Sequence, residues 1–223
     1  MLREDPHQEI TSRYPPREEF LSSLIHGIGI LLSLVGLVVM LVQAYRYGGT
    51  YRHFIGASIF GLGLLLAYVS STLYHAFRHP HLKQLFRLFD HLSIFILIAA
   101  TYTPLTLINL RGPWGWSLFS VVWGLALVGI VIECTRLKRF RFISIALYLG
   151  MGWAVVAAGR LLVSRVEPGG VKLLVAGGLF YTIGVIFYVW RKLPYNHAVW
   201  HLFVLAGSIC HFFAVLFYVL PVK

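Results

Sequence analysis

Seven apolar runs, each about as long as a bilayer is thick, constrain this chain more than any other feature. They lie at about 20–44, 53–77, 89–110, 114–134, 142–163, 171–190 and 197–220. A helix needs roughly 20 apolar residues to cross the hydrocarbon core. Backbone groups cannot stay unpaired in lipid, so helices are the spans such runs can form. The links are short and carry the chain breakers: Gly48-Gly49, His79-Pro80, Arg111-Gly112-Pro113, Glu167-Pro168-Gly169-Gly170 and Pro194. The expected fold is all-α, a multi-pass seven-transmembrane helix bundle over residues 20–223, preceded by a short polar segment at 1–19. The first run is longer than the apolar region of a signal peptide and has no small-residue cleavage site behind it, so it is expected to be a retained span.

Charge placement then argues for orientation and against nucleic acid. The formal net charge is +11, which in a soluble chain would suggest a nucleic-acid partner. Here the residues are 58% hydrophobic and only 12% charged, and the basic ones sit mostly in the links. That is the placement expected for membrane topology and anionic headgroups. With the N-terminus cytoplasmic, twelve of the nineteen Lys and Arg fall on the inner side, among them Arg13, Arg17, Arg78, Lys83, Arg87, Arg136, Lys138 and Arg139. The bias places the N-terminus inside and the C-terminus outside. Membrane lipids are the expected partners, and nothing in the chain specifies an oligomeric state.

Inside the runs, small residues such as Gly29, Gly36, Gly61, Gly63, Gly150, Gly152 and Gly177 are expected to let helices approach closely. Pro104 predicts a kink in the third helix. Cys134 and Cys210 form no CxxC site and read as small apolar filler.

Against this apolar background the ionisable groups stand out. Ser71 and His75 are four apart and share one face at the end of the second helix. Asp90 lies at the expected start of the third. His197 and His201, in the sequence Asn196-His-Ala-Val-Trp-His201, are also four apart at the start of the seventh, a spacing that lets two imidazoles bind one ion. Helix counting puts the end of the second helix and the starts of the third and seventh on one side of the membrane, whichever way the chain is oriented. Three histidines plus an open position describe a catalytic zinc (Zn2+) site rather than a closed structural one.

Each group also has an ordinary explanation. A lone buried histidine is more often a hydrogen-bonded core residue than a ligand. Ser71 can bond the carbonyl one turn back, and Asp90 can cap the third helix. Their shared side and depth favour the site. His26 reads as structural with a supporting role to the site, and the role of Glu19, which precedes it in the chain, is left open. His91 is expected to point away, and His211 to lie too deep. His53, His79 and His81 are expected to be solvated, and Tyr74, Trp114, Trp116 and Trp200 to belong to interfacial aromatic belts.

Ser71-Thr-Leu-Tyr-His75, Phe89-Asp90-His91-Leu-Ser-Ile-Phe-Ile with Ala100-Thr-Tyr-Thr-Pro104, and His197-Ala-Val-Trp-His201 together resemble the bacterial hemolysin III family. That family belongs to the progestin and adipoQ receptor superfamily, which includes the adiponectin receptors and is related to alkaline ceramidases. The resemblance runs from Glu19 to about Phe217. It implies a bacterial plasma-membrane protein, zinc held near the cytoplasmic face by His75, His197 and His201, and motif positions at Asp90 and Ser71. No counterpart of the large N-terminal domain of the eukaryotic receptors is expected, which argues against protein-hormone reception.

The leading expectation is a zinc-dependent hydrolase of a lipid amide or ester serving membrane-lipid homeostasis. Asp90 would hold the attacking water, as a ligand or as general base. Ser71 would support the developing oxyanion or orient a ligand. The alternatives are a non-enzymatic sensor of membrane state with structural zinc, then a proton-coupled transporter. A cytolytic pore-former is a less favoured third alternative, because every span looks constitutively embedded, and the transporter ranks below the first two readings.

Overall fold

The computed structural model describes residues 14–135 and 141–221, and each of the seven runs is a helix. Residues 1–13 of the polar segment and the basic link containing Arg136, Lys138 and Arg139 lie outside the described residues. The helices are α1 (Pro16–Arg46), α2 (Tyr51–Ala76), α3 (Pro80–Ile108), α4 (Pro113–Cys134), α5 (Arg141–Trp153), α6 (Gly159–Arg165), α7 (Pro168–Val189) and α8 (Asn196–Ala214). A 3-10 turn at Ala154–Ala158 joins α5 to α6 within the fifth span, and α8 runs on as a π-helix over Val215–Val219. No strand occurs among the described residues.

Proline starts four of these helices at its preferred first position, where its missing N–H costs nothing. This explains a correction. The third helix was expected from about residue 89, but α3 begins at Pro80, so Asp90 sits almost three turns inside it and caps nothing. The basic stretch after Pro80 ends the apolar run without ending the helix. Lys83 is buried there, with Nζ donating to the carbonyl of Tyr74 at 3.0 Å.

The bundle has an apolar core into which the buried polar residues also point, and its outer face is apolar. Along α1, Ser22, His26, Gly29, Ser33, Gly36 and Met40 face inward, while Leu31, Val35 and Val38 face outward and are at least 60% exposed. Outward apolar faces suit lipid, and inward polar groups find partners within the bundle. Packing is most extensive between α2 and α3, α1 and α2, and α7 and α8; α1 also meets α8, so the first and last spans are neighbours. Small residues act where helices cross. A Cβ on Gly56 would come within 2.9 Å of the Pro104 backbone, and one on Gly63 would strike Ala100. Gly27, Gly150 and Gly152 have open space instead, so they are not close-approach sites.

The fifth span is interrupted. At its break Tyr102 stands in for the missing helical bonds: its hydroxyl donates to Gly152 O at 2.7 Å and accepts from Val155 N–H at 3.0 Å. One phenol from α3 thus satisfies a carbonyl and an amide that would otherwise be unpaired at membrane depth.

Two surface expectations are also corrected. His53 is buried and forms a capping box with Thr50, its Nδ1 accepting Thr50 N–H at 3.1 Å. Tyr74 is buried beside His75 with Lys83 over its ring at 4.7 Å, and so is not a belt residue. Trp114 and Trp116 are exposed near a span end, as expected of a belt.

Candidate metal centre

His75 from the end of α2 meets His197 and His201 from the first turns of α8. Its Nε2 lies 3.1 Å from the Nε2 of each, and all three residues are buried. Their ligand atoms fall within 4.8 Å of one another, and they are the one such His, Cys, Asp or Glu group among the described residues. Nitrogens bound about 2.0–2.1 Å from a tetrahedral ion stand about 3.3 Å apart, so the observed spacing fits three ligands of one metal ion. The three buried histidines can therefore hold a metal.

The tautomer of His75 is set by a residue whose role the sequence left open. Its Nδ1–H donates to Glu19 Oε2 at 2.6 Å, which leaves the Nε2 lone pair for the ion. This carboxylate–histidine pairing is the usual outer support of a ligating imidazole. Glu19 Oε1 also pairs with Lys83 Nζ at 3.0 Å, and both side chains are about nine-tenths buried. Glu18 contributes differently: its Oε1 accepts the backbone N–H of His197 at 2.9 Å. That places an anion at the N-terminus of α8, where helical amides lack partners. The turn before α8 is tight, with Tyr195 in the left-handed region at φ 57°. Behind His201, the ring of His26 packs edge-on at 3.8 Å and also meets Tyr68 at 5.0 Å. Both His26 nitrogens are buried without a protein hydrogen bond, so this histidine is more than a satisfied core residue.

Ser71 lies one turn before His75 and is almost fully buried. Ser70 donates to the carbonyl of Leu66, one turn back, but Ser71 Oγ does not; it has no hydrogen-bond partner. An unpaired buried hydroxyl beside the histidines fits a group reserved for a ligand. Asp90 is half-buried and outside the set of clustered ligand atoms, but it shares a cavity wall with His197 and His201.

That cavity has a volume of about 600 Å³, in the range of ligand sites. His197, His201 and Asp90 line one end, with His75 behind the two histidines and off the wall. Leu162, Val163 and Leu174, at the opposite ends of their spans, line the other. His91 lines it too, against expectation. Its Nδ1–H donates to Glu133 Oε1 at 2.6 Å, and Glu133 Oε2 accepts from Ser144 at 3.1 Å. Glu133, buried near the end of α4, was not singled out in the sequence; an acidic residue closing an apolar run was the available signal. His211, deep in α8 as expected, bonds Leu174 O at 3.2 Å.

Comparison with known proteins agrees with these motifs. Residues 15–212 match the family described as Haemolysin-III related. The chain is 44% identical over 205 residues to Hemolysin-3 of Bacillus cereus, covering 92% of this chain and 93% of that protein. It is 44% identical over 206 residues to a Hemolysin-3 homolog of Bacillus subtilis (strain 168), covering 92% and 96%. The monocyte to macrophage differentiation factor of Homo sapiens is 27% identical over 211 residues, covering 91% and 86%. With seven spans and three motif histidines gathered on one face, this chain belongs to the haemolysin-III related family of multi-pass plasma-membrane proteins.

Proposed function

We propose that the chain is a zinc-dependent hydrolase of a lipid amide or ester in membrane-lipid homeostasis. The observation that carries this reading is that two of the three clustered histidines, His197 and His201, line one end of a cavity that turns apolar with depth. Such a cavity accommodates an amphiphile, with its scissile bond near the histidines and its chain among Leu162, Leu174 and their neighbours. Zinc suits an all-imidazole donor set and supplies Lewis acidity to a carbonyl and acidity to a water.

The chain's own residues supply the rest. Glu19 keeps the proton of His75 on Nδ1, so that Nε2 stays available. Asp90, on the cavity wall, holds the attacking water and accepts its proton on a carboxylate oxygen. Ser71, buried one turn before His75 and off the cavity wall, orients a ligand rather than meeting the substrate. The excess of Lys and Arg on the face that holds the site supports a cytoplasmic placement.

The test has two arms. Metal content of the purified protein is measured for wild type, His75→Ala and His197→Ala, and the zinc-loaded protein is offered a panel of lipid amides and esters. One zinc per wild-type chain, lost in both variants, with zinc-dependent cleavage of at least one lipid, is the expected result. Stoichiometric metal with no cleavage across the panel would favour the sensor, in which His75→Ala removes the metal but leaves the cellular effect. A wild type without metal removes the site itself.

A further inference from the structure

Each of the three histidine rings is met by a different residue from the start of the chain. Glu19 bonds His75, and His26 packs against His201. The third contact is Tyr14, whose ring lies flat on His197 with centroids 4.2 Å and planes 16° apart, and 6.2 Å from His75. Tyr14 is half-buried and lines the same cavity.

Two features make this contact specific. His197 is the second residue of α8. A helical side chain ordinarily lies over the turn that precedes it, and at that position no turn precedes. Of the three rings, His197 is therefore the one least confined by its own helix. Tyr14, in turn, is fixed by its C-terminal neighbours. It precedes Pro15-Pro16, whose rings narrow its backbone freedom, and Pro15 O accepts the first amides of α1 from Glu18 and Glu19 at 2.9 and 3.0 Å. One turn on, Glu18 holds the backbone N–H of His197. The same short segment thus grips both the backbone and the ring of one histidine.

We infer that Tyr14 is a positioning residue of the metal centre: its ring sets the plane of His197, keeps its Nε2 aimed at the ion, and covers the imidazole face on the N-terminal side of the bundle. The inference rests on the reading of the three histidines as metal ligands. It concerns the ring of Tyr14, not its hydroxyl, so tyrosine and phenylalanine serve alike.

The test uses the full chain in detergent, loaded with Co2+ or Zn2+. It reads the visible spectrum of the Co2+ form, the rate of metal release to excess chelator, and the Tm of the metal-free form. Outer supports of ligating histidines are worth about 10–100-fold in metal affinity. Tyr14→Ala is expected to release metal about tenfold faster, with an altered Co2+ spectrum and an unchanged metal-free Tm, while Tyr14→Phe behaves as wild type. Tyr14→Leu, which keeps apolar bulk without the flat ring, is expected to match Tyr14→Ala. Three results would overturn the inference: release from Tyr14→Ala and Tyr14→Leu at the wild-type rate, release from Tyr14→Phe as fast as from Tyr14→Ala, or a lowered metal-free Tm with an intact spectrum. A wild type that binds no metal overturns the ligand reading and this inference together; a wild type that binds metal regardless of residue 14 removes only Tyr14.

Discussion

Replacing Glu19 with Gln separates the roles of one carboxylate. In the wild type, Oε2 accepts from His75 Nδ1 at 2.6 Å and Oε1 pairs with Lys83 at 3.0 Å. Gln keeps the shape and one acceptor oxygen but loses the charge. The substitution carries two costs. The imidazole becomes less basic and less firmly oriented, and loss of such support costs about 10–100-fold in metal affinity, or roughly 1.4–2.8 kcal/mol at 1.4 kcal/mol per decade. Lys83 becomes a buried cation without its anion. Breaking a buried pair costs about 3–5 kcal/mol. The carbonyl of Tyr74 still accepts from Nζ at 3.0 Å, so the low end of that range is expected. Chelator competition reads the first cost, and thermal unfolding of the metal-free protein reads the second. Adding Lys83→Met to Glu19→Gln then discriminates between them: stability should return while metal affinity stays low. Wild-type metal affinity in Glu19→Gln would refute the claim that this carboxylate supports His75. Metal affinity that recovers with Lys83→Met would show that Glu19 acts through Lys83 rather than through the imidazole.

Other outcomes rest on single contacts. His75→Ala should abolish stoichiometric metal binding while leaving a folded bundle, checked by metal analysis alongside circular dichroism. Tyr102→Phe removes both hydrogen bonds at the break of the fifth span; unsatisfied buried groups cost about 1–3 kcal/mol each, so a lower Tm and faster amide exchange at residues 152–158 are expected. Gly56→Ala forces α2 away from the backbone of Pro104 and should destabilise by about 1–3 kcal/mol. Gly27→Ala, with nothing within 4 Å of its Cβ, should be neutral or slightly stabilising by thermal unfolding.

The spans were legible because lipid thickness and backbone pairing admit one solution for an apolar run of that length. The three histidines were legible for a related reason. A spacing of four puts His197 and His201 on one face, and the parity of helix crossings puts His75 on the same side. What hydropathy does not report is where a helix starts outside the lipid. Counting from the first apolar residue placed Glu18 and Glu19 beyond α1 and Lys83 in a link, whereas Pro16 and Pro80 mark the true starts. The role of Glu19 consequently stayed open, since its partners His75 and Lys83 lie on other helices. The break in the fifth span was hidden for the same physical reason: the hydroxyl that permits it comes from α3. His91 was judged by its angle relative to Asp90 alone, but the cavity wall is wide enough to include both.

The pairing of His75 with residues 122 and 126 positions further along the chain also sets an order of events during synthesis. Glu19 and His75 come from the first two spans and can pair as soon as that hairpin enters the bilayer. The other two ligands emerge only with the last span. At about 5–20 residues per second, roughly 6–25 seconds separate His75 from His201. Throughout that interval the chain has a poised imidazole but no site. If the three histidines hold a metal as proposed, uptake can occur only once the seventh span has docked against the first, and a bound ion would mark a chain synthesised through that helix.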